Sequence, residues 1–229
     1  MKNLLSVCLL AVSIGWTGTP HASSQTAPLQ KGVSVQMAVT NNASPMPEAD
    51  KQDAWVIAVT AAGELYFGTQ AVTPEQLVEE MKMRPRNRNA KIYIKADSRA
   101  PYANVKKALD AAKAVLFSGA VLLTKQPESP ALGTMIPPKG LEVLLTAPSS
   151  QAVPVRVLAS GQKLAELAVN DRAVSVAGLQ SALNQALQNR SEKAVQISAD
   201  SQLTFAQVVA VIDAIRSVGA KTVLPASEM

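Results

Sequence analysis

The chain contains the same unit twice. Residues 94–115 and 197–218 align without a gap, and nine of the 22 positions are identical: Ile94, Ala96, Asp97, Ser98, Ala103, Val105, Asp110, Ala111 and Val115. Weaker matches keep the same order. Lys31-Gly32-Val33-Ser34-Val35 returns as Lys139-Gly140-Leu141-Glu142-Val143, Val59 to Gly63 returns as Val157 to Gly161, and Ala71-Val72-Thr73 returns as Ala173-Val174-Ser175. A tandem duplication constrains the fold more than any single motif, because one supersecondary unit must satisfy both copies.

Each copy reads element by element. An extended Lys-Gly-Val/Leu segment leads into a polar spacer, Asn41 to Asp53 or Ala147 to Gln151. Trp55 to Thr60 and Val153 to Leu158 read as strands, the second through the alternation of Val153, Val155 and Val157. Gly63 and Gly161 mark turns into hairpin partners at Glu64 to Phe67 and about Lys163 to Val169. Thr73-Pro74-Glu75-Gln76 carries a helix N-cap, a first-turn proline and a capping-box glutamine. Leu77 and Met81 then share a face, as do Leu179, Leu183 and Leu187 in the second copy. A strand with Ile92 and Ile94, or Val195 and Ile197, precedes a second helix over about Pro101 to Val115, or Thr204 to Val218. A last strand spans Ala120 to Thr124, or Thr222 to Pro225.

The fold class expected is α+β: two tandem copies of a β-β-β-α-β-α-β unit, each a mixed sheet with two helices on one face. The boundaries are a signal peptide over 1–24, a first domain over 25–127, a proline-rich linker over 128–138 and a second domain over 139–229.

Composition narrows the chemistry. The one Cys and the one His of the 229 residues are Cys8 and His21. Both fall in an N-terminal stretch where Lys2, an apolar run from Leu4 to Gly15 and the small residues Ala22-Ser23-Ser24 read as a cleavable export signal, with an uncleaved N-terminal anchor as the alternative. The run is about half the roughly 20 residues of a membrane-spanning helix. A chain cleaved there has no Cys or His, which excludes disulfides, thiolate or imidazole metal sites and His-based triads. No metal and no cofactor are expected. Aromatic residues make up 3% of the chain, too few for stacking platforms, and with the export signal this excludes nucleic acid.

The ordered set of residues resembles the periplasmic domain of the ExbD/TolR biopolymer transport family. It comprises Lys-Gly-Val, a proline-bearing spacer, Val-x-Val-x-x-x-Gly, Ala-Val-Thr before an amphipathic helix, Ile-x-Ile-x-Ala-Asp, and Asp-Ala in the next helix. The resemblance covers residues 31–124 and 139–224. It implies periplasmic work beside an ExbB/TolQ-like motor subunit and a TonB- or TolA-like transducer, within a complex that spends the proton-motive force at the envelope. The family also has a transmembrane helix with an essential Asp. Here no acidic residue precedes Glu48, so the chain is expected not to conduct protons itself.

Charge is distributed unequally between the copies. From Lys82 to Arg99 the cations Lys82, Arg84, Arg86, Arg88, Lys91, Lys95 and Arg99 face one acid, Asp97, while the matched stretch Asn184 to Gln202 has no net charge. Such clustering attracts anionic partners, and Lys82, Arg84, Arg86, Arg88 and Lys91 are the first partner-binding candidates; a solubilising loop around Pro85 is the plainer reading. Asp97 and Asp200, at the matched Ala-Asp-Ser positions, are docking candidates too, although a short carboxylate before a helix commonly satisfies nearby N–H groups. Asp110 and Asp213, inside helices, read as residues of a solvated face or as salt-bridge partners of a helical neighbour. The adjacent Glu79 and Glu80 point in different directions on a helix, so no catalytic pair is expected and the chain does not read as an enzyme.

The function expected is a periplasmic binding or adaptor module, accessory to an energised transport or envelope-integrity complex. The alternative is an independent cell-wall-binding protein that holds peptidoglycan through the basic cluster. A monomer is expected in which the copies form an internal pseudo-dimer, with Lys31 to Gln36 and Lys139 to Leu144 exchanged as edge strands.

Overall fold

The computed structural model describes residues 33–86, 90–127, 137–146, 150–161 and 163–225. The signal-peptide reading and most of the linker fall outside them. In the first repeat, β1 (Ser44–Pro45) and a 3-10 turn (Pro47–Asp50) precede β2 (Trp55–Val59), β3 (Leu65–Phe67), β4 (Gln70–Val72), α1 (Pro74–Met83), β5 (Ile92–Ala96), α2 (Tyr102–Ala114) and β6 (Gly119–Thr124). The second has β7 (Lys139–Leu144), β8 (Val153–Ser160), β9 (Lys163–Val169), β10 (Arg172–Val174), α3 (Leu179–Leu187), β11 (Ala194–Ala199), α4 (Phe205–Ser217) and β12 (Lys221–Val223).

Local chemistry sets these bounds. At the start of α1, Thr73 Oγ1 accepts the Gln76 N–H at 3.2 Å while Gln76 Oε1 accepts the Thr73 N–H at 2.9 Å. This reciprocal box satisfies two of the donors that a helix start leaves open. Leu77 and Met81 bury the inner face of α1, Val105, Ala108, Leu109 and Ala112 that of α2, and Val208, Val211, Ile212 and Ile215 that of α4. In β8, Val153, Val155 and Val157 are buried while Pro154, Arg156 and Leu158 face out, the alternation of a strand covered on one side. After α2 and α4 the chain turns through the left-handed region at Leu116 (φ 66°) and Gly219 (φ 72°), which are equivalent positions of the repeat.

The strands of both repeats form one sheet, in the order β10-β9-β8-β11-β12-β7-β6-β5-β2-β3-β4, with β1 also paired to β7. Within each repeat the three strands inward of the outer hairpin run parallel: β2 with β5 and β5 with β6, then β8 with β11 and β11 with β12. The strand β7 lies between the repeats, antiparallel to β6 over its whole length and parallel to β12 at Val143 and Leu144. Residues of all four helices share one hydrophobic core with Ile57, Ile94, Val155 and Ile197, which places the helices on one face.

The two repeats meet about a pseudo-twofold axis. The Tyr102 N–H donates to the Leu203 carbonyl at 2.8 Å, and the equivalent Phe205 N–H donates to the Ala100 carbonyl at 2.8 Å. Ala103 N–H to Ser201 O and Ala206 N–H to Ser98 O form a second reciprocal pair, at 3.2 and 3.0 Å.

One segment breaks this symmetry, passing from the helix side, where Ala38 joins the shared core and Asp213 of α4 holds it, to the opposite face of the sheet. Residues 36–54 form a strap that starts beside α2, crosses to the second repeat and returns under the first. Gln36 O accepts the Ser98 N–H, and residues 38–40 bond to the backbone of Lys125. The Asn41 and Asn42 N–H groups donate to the Asp213 carboxylate of α4 at 3.0 and 2.9 Å. Ser44 and Pro45 pair with Gly140 and Lys139 along the edge of β7 that short β12 leaves open. Met46 and Ala49 then pack on Val56, Tyr93, Val121 and Leu123.

Four expectations need correction. Each repeat has one strand more than the expected unit, β4 or β10, and the repeats share a sheet where each was expected to have its own. Residues 33–36 form no strand. One slot exists between β6 and β12; Lys139–Leu144 fills it, and the first repeat contributes only β1 at its end. Asp213 is not a solvated face residue, since it is 8% exposed and holds the strap.

Candidate partner-binding surface

Apart from Arg99, which pairs with Asp97, the described cations of the basic run divide into four environments. Lys82 pairs with Glu79 at 2.9 Å one helical turn away, and both are more than half exposed. Lys91 pairs across the repeat boundary with Glu142 of β7. That hydrogen bond holds the ammonium pKa above its ordinary value. Lys95, in the middle of β5, is 5% exposed beneath the strap, and burial pushes its pKa down against the opposing pull of Asp50. Arg88 lies outside the described residues.

Arg84 and Arg86 carry the remaining charge, and both are laid on aromatic rings. The Arg84 guanidinium sits 4.8 Å from the Trp55 ring centroid and 5.5 Å from that of Phe67, and it donates to the Asp53 carbonyl at 2.8 Å. The Arg86 guanidinium sits 4.3 Å from the Phe117 ring and donates to the Val115 carbonyl at 2.8 Å. Trp55 contacts Phe67 and Phe117, with centroids 5.8 and 5.6 Å apart. Three rings thus form a spine beneath two guanidiniums, and neither arginine has a carboxylate partner among the described residues. Stacking fixes each planar group and leaves N–H donors for an anion.

Two adjoining clefts open here. One, of about 330 Å³, is lined by Arg86, Lys91, Leu116, Phe117 and Glu142. The other, of about 450 Å³, is lined by Glu48, Trp55, Arg84, Lys91 and Tyr93.

Asp97 and Asp200 are elsewhere. They follow the far ends of β5 and β11, so a whole strand separates Asp97 from Lys91, and both stand beside the pseudo-twofold axis next to Ser98 and Ser201. Asp97 is 3% exposed. Its carboxylate accepts the Arg99 guanidinium at 2.9 and 3.0 Å, the Gln36 N–H at 3.0 Å and the Arg99 N–H at 3.0 Å. The Arg99 side chain first, then the two amides, lower its pKa to about 2 although burial acts the other way. Asp200 accepts the Gln202 N–H at 2.9 Å and is half-buried. Both carboxylates therefore hold loop amides, and the structure joins neither to the basic surface.

The rings beneath the arginines, and Glu142 opposite Lys91, are what reading the sequence misses. Trp55, Phe67 and Phe117 are spread over 62 positions; the pairing of β2 with β3 and the turn from α2 into β6 bring them together. Leu116 does leave a trace, standing where the second repeat has glycine. Among the described residues no group of three His, Cys, Asp or Glu side chains is placed to hold a metal, and no helix is long and apolar enough to cross a membrane.

Comparison with known proteins gives one family. The model described as biopolymer transport protein ExbD/TolR matches the chain twice, over residues 22–127 and 120–226. A search of curated proteins finds no match.

Proposed function

The chain belongs to the ExbD/TolR family of biopolymer transport proteins, matched once by each half, and on that basis we propose that it is a periplasmic adaptor accessory to a proton-motive-force-driven transport or envelope-integrity complex. The observation that carries this reading is the doubled family match over a chain whose described helices include none able to span a membrane. Family membership brings a non-enzymatic accessory role in biopolymer transport. Its partners would be an ExbB/TolQ-like motor subunit and a TonB- or TolA-like transducer. In this reading Arg84, Arg86, Lys82 and Lys91 form the docking surface, and Arg88 belongs to the same run of the sequence; Asp97 and Asp200 shape the loops at the axis, a strand's length away.

Crosslinking in cells followed by affinity capture of the full chain tests the proposal. Recovery of a motor subunit or transducer supports it. Capture of neither, with retention on purified peptidoglycan, would replace it by the independent cell-wall-binding reading, which the unpaired charges of Arg84 and Arg86 also favour.

A further inference from the structure

Leu116 is 83% exposed and stands where its backbone disfavours it. Its φ of 66° lies in the left-handed region, strained for any residue with a Cβ. The second repeat makes the same turn with Gly219 at φ 72°, where an added Cβ meets nothing within 4 Å. Space therefore exists in both repeats, and only the first fills it with an apolar side chain projecting into solvent.

Its neighbours complete a pattern. Met83, the last residue of α1, is 76% exposed. α1 packs beside α2, and Arg86 ties the two helix ends together by donating to the carbonyl of Val115, the residue before Leu116. Arg84 directly follows Met83 and Arg86 reaches the residue before Leu116, and neither has a carboxylate partner among the described residues. Lys113, exposed in the last turn of α2, adds a cation. At the equivalent positions of the second repeat stand Gln185, polar and exposed, and Gly219, which has no side chain.

We propose that this end of the first repeat docks on an anionic phospholipid bilayer, with Leu116 and Met83 entering the interface and Arg84, Arg86 and Lys113 meeting headgroup phosphates. A side chain that protrudes needs a medium that closes around it. The bilayer interface does so without a shaped hole, whereas a protein partner must provide one. Cations ringing apolar tips match the phosphate layer above the acyl boundary. The arginines are already held by their rings, so docking costs them little side-chain freedom. The inference rests on the reading of the basic cluster as a docking surface and is independent of which complex the protein serves.

Flotation of the full chain with phosphatidylcholine vesicles, with and without phosphatidylglycerol, tests it. Binding is expected only with phosphatidylglycerol and weakens with salt. Leu116→Gly should lower the bound fraction roughly tenfold or more, from the apolar surface lost, while its thermal midpoint stays level or rises because glycine relieves the turn. Met83→Gln should lower binding further, and Arg84→Gln with Arg86→Gln should remove the preference for phosphatidylglycerol. Leu116→Gly binding like the wild type, equal binding to both vesicles, or binding to neither would each overturn the proposal. If motor-subunit crosslinks persist while vesicle binding fails, the bilayer surface is refuted and the accessory role stands.

Discussion

Pro101 and Thr204 face each other across an antiparallel bridge, and they are the same position of the two repeats. The four backbone hydrogen bonds around them are reciprocal, as in the isologous interface of a symmetric dimer. Here both partners are on one chain.

A partner that is covalently present needs no second molecule. Light scattering should therefore give a monomer, and the thermal midpoint should not vary with protein concentration, as it must for a dimer stabilised by mass action. A stable dimer, or a midpoint that climbs with concentration, would count against an internal pairing.

Asp213 fastens the strap to the second repeat. Asp213→Ala leaves the Asn41 and Asn42 amides without their acceptor and should cost about 1–3 kcal/mol in chemical denaturation. Asp213→Asn keeps one acceptor oxygen and should cost less. Equal, negligible losses in both variants would show that the strap is held by its other contacts.

Asp97 makes stability depend on acid. Its folded-state pKa, about 2, lies below the ordinary carboxylate value of 3.8. The stabilisation is thus complete above about pH 5 and is lost as the pH falls toward 2, because the unfolded chain takes up its proton first. With Arg99 two-thirds exposed, the contribution at neutral pH is discounted to about 1–2 kcal/mol. Asp97→Asn should flatten this part of the stability profile; an unchanged acid limb would refute the assignment.

Gly140 lets β7 enter the sheet. A Cβ there would lie 2.5 Å from Val121 Cγ1 and 3.0 Å from the Leu122 carbonyl. Gly140→Val should therefore cost about 1–3 kcal/mol or more, as overpacking does, whereas Gly161→Asn, at φ 63° with open space around it, should cost far less. Similar midpoints for the two variants would contradict this.

The stacked arginines change what a charge-removal experiment reports. Replacing Arg84, Arg86 and Arg88 together by Gln should weaken envelope association and remove its salt sensitivity. It should also lower stability by about 1–2 kcal/mol, because two cation–π contacts go with the charges. Association that is unaffected and insensitive to salt would leave the cluster as a solubilising feature.

The helices and long strands were legible because their signals are local. Thr73 and Gln76 mark the start of α1, and Val153, Val155 and Val157 mark β8, within a few residues. Gln70–Val72 and Arg172–Val174 are too short to show alternation, so the sequence does not distinguish β4 and β10 from the approaches to the helices that follow. The equivalence of Lys31-Gly32-Val33 and Lys139-Gly140-Leu141 suggested two strands, but a pseudo-twofold arrangement has one slot on its axis and only one copy can take it. Asp213 looked like a surface residue because its partners are more than 170 positions away. The cations are visible as a run, whereas the pairing of Lys91 with Glu142 and of Arg84 and Arg86 with the rings depends on the tertiary fold, which the run does not encode.

The strap also sets an order in time. Asn41 leaves the ribosome 172 residues before the Asp213 that will hold it, a delay of roughly 10 to 30 s at ordinary synthesis rates. Its sheet partners Lys139 and Gly140 also come from the later half. Until then the back of the first repeat's strands, with Val56, Tyr93 and Val121, lacks its anchored cover. The first half to be made is thus the last to be completed, and a nascent chain halted before residue 139 would present that apolar face to whatever protects unfinished proteins.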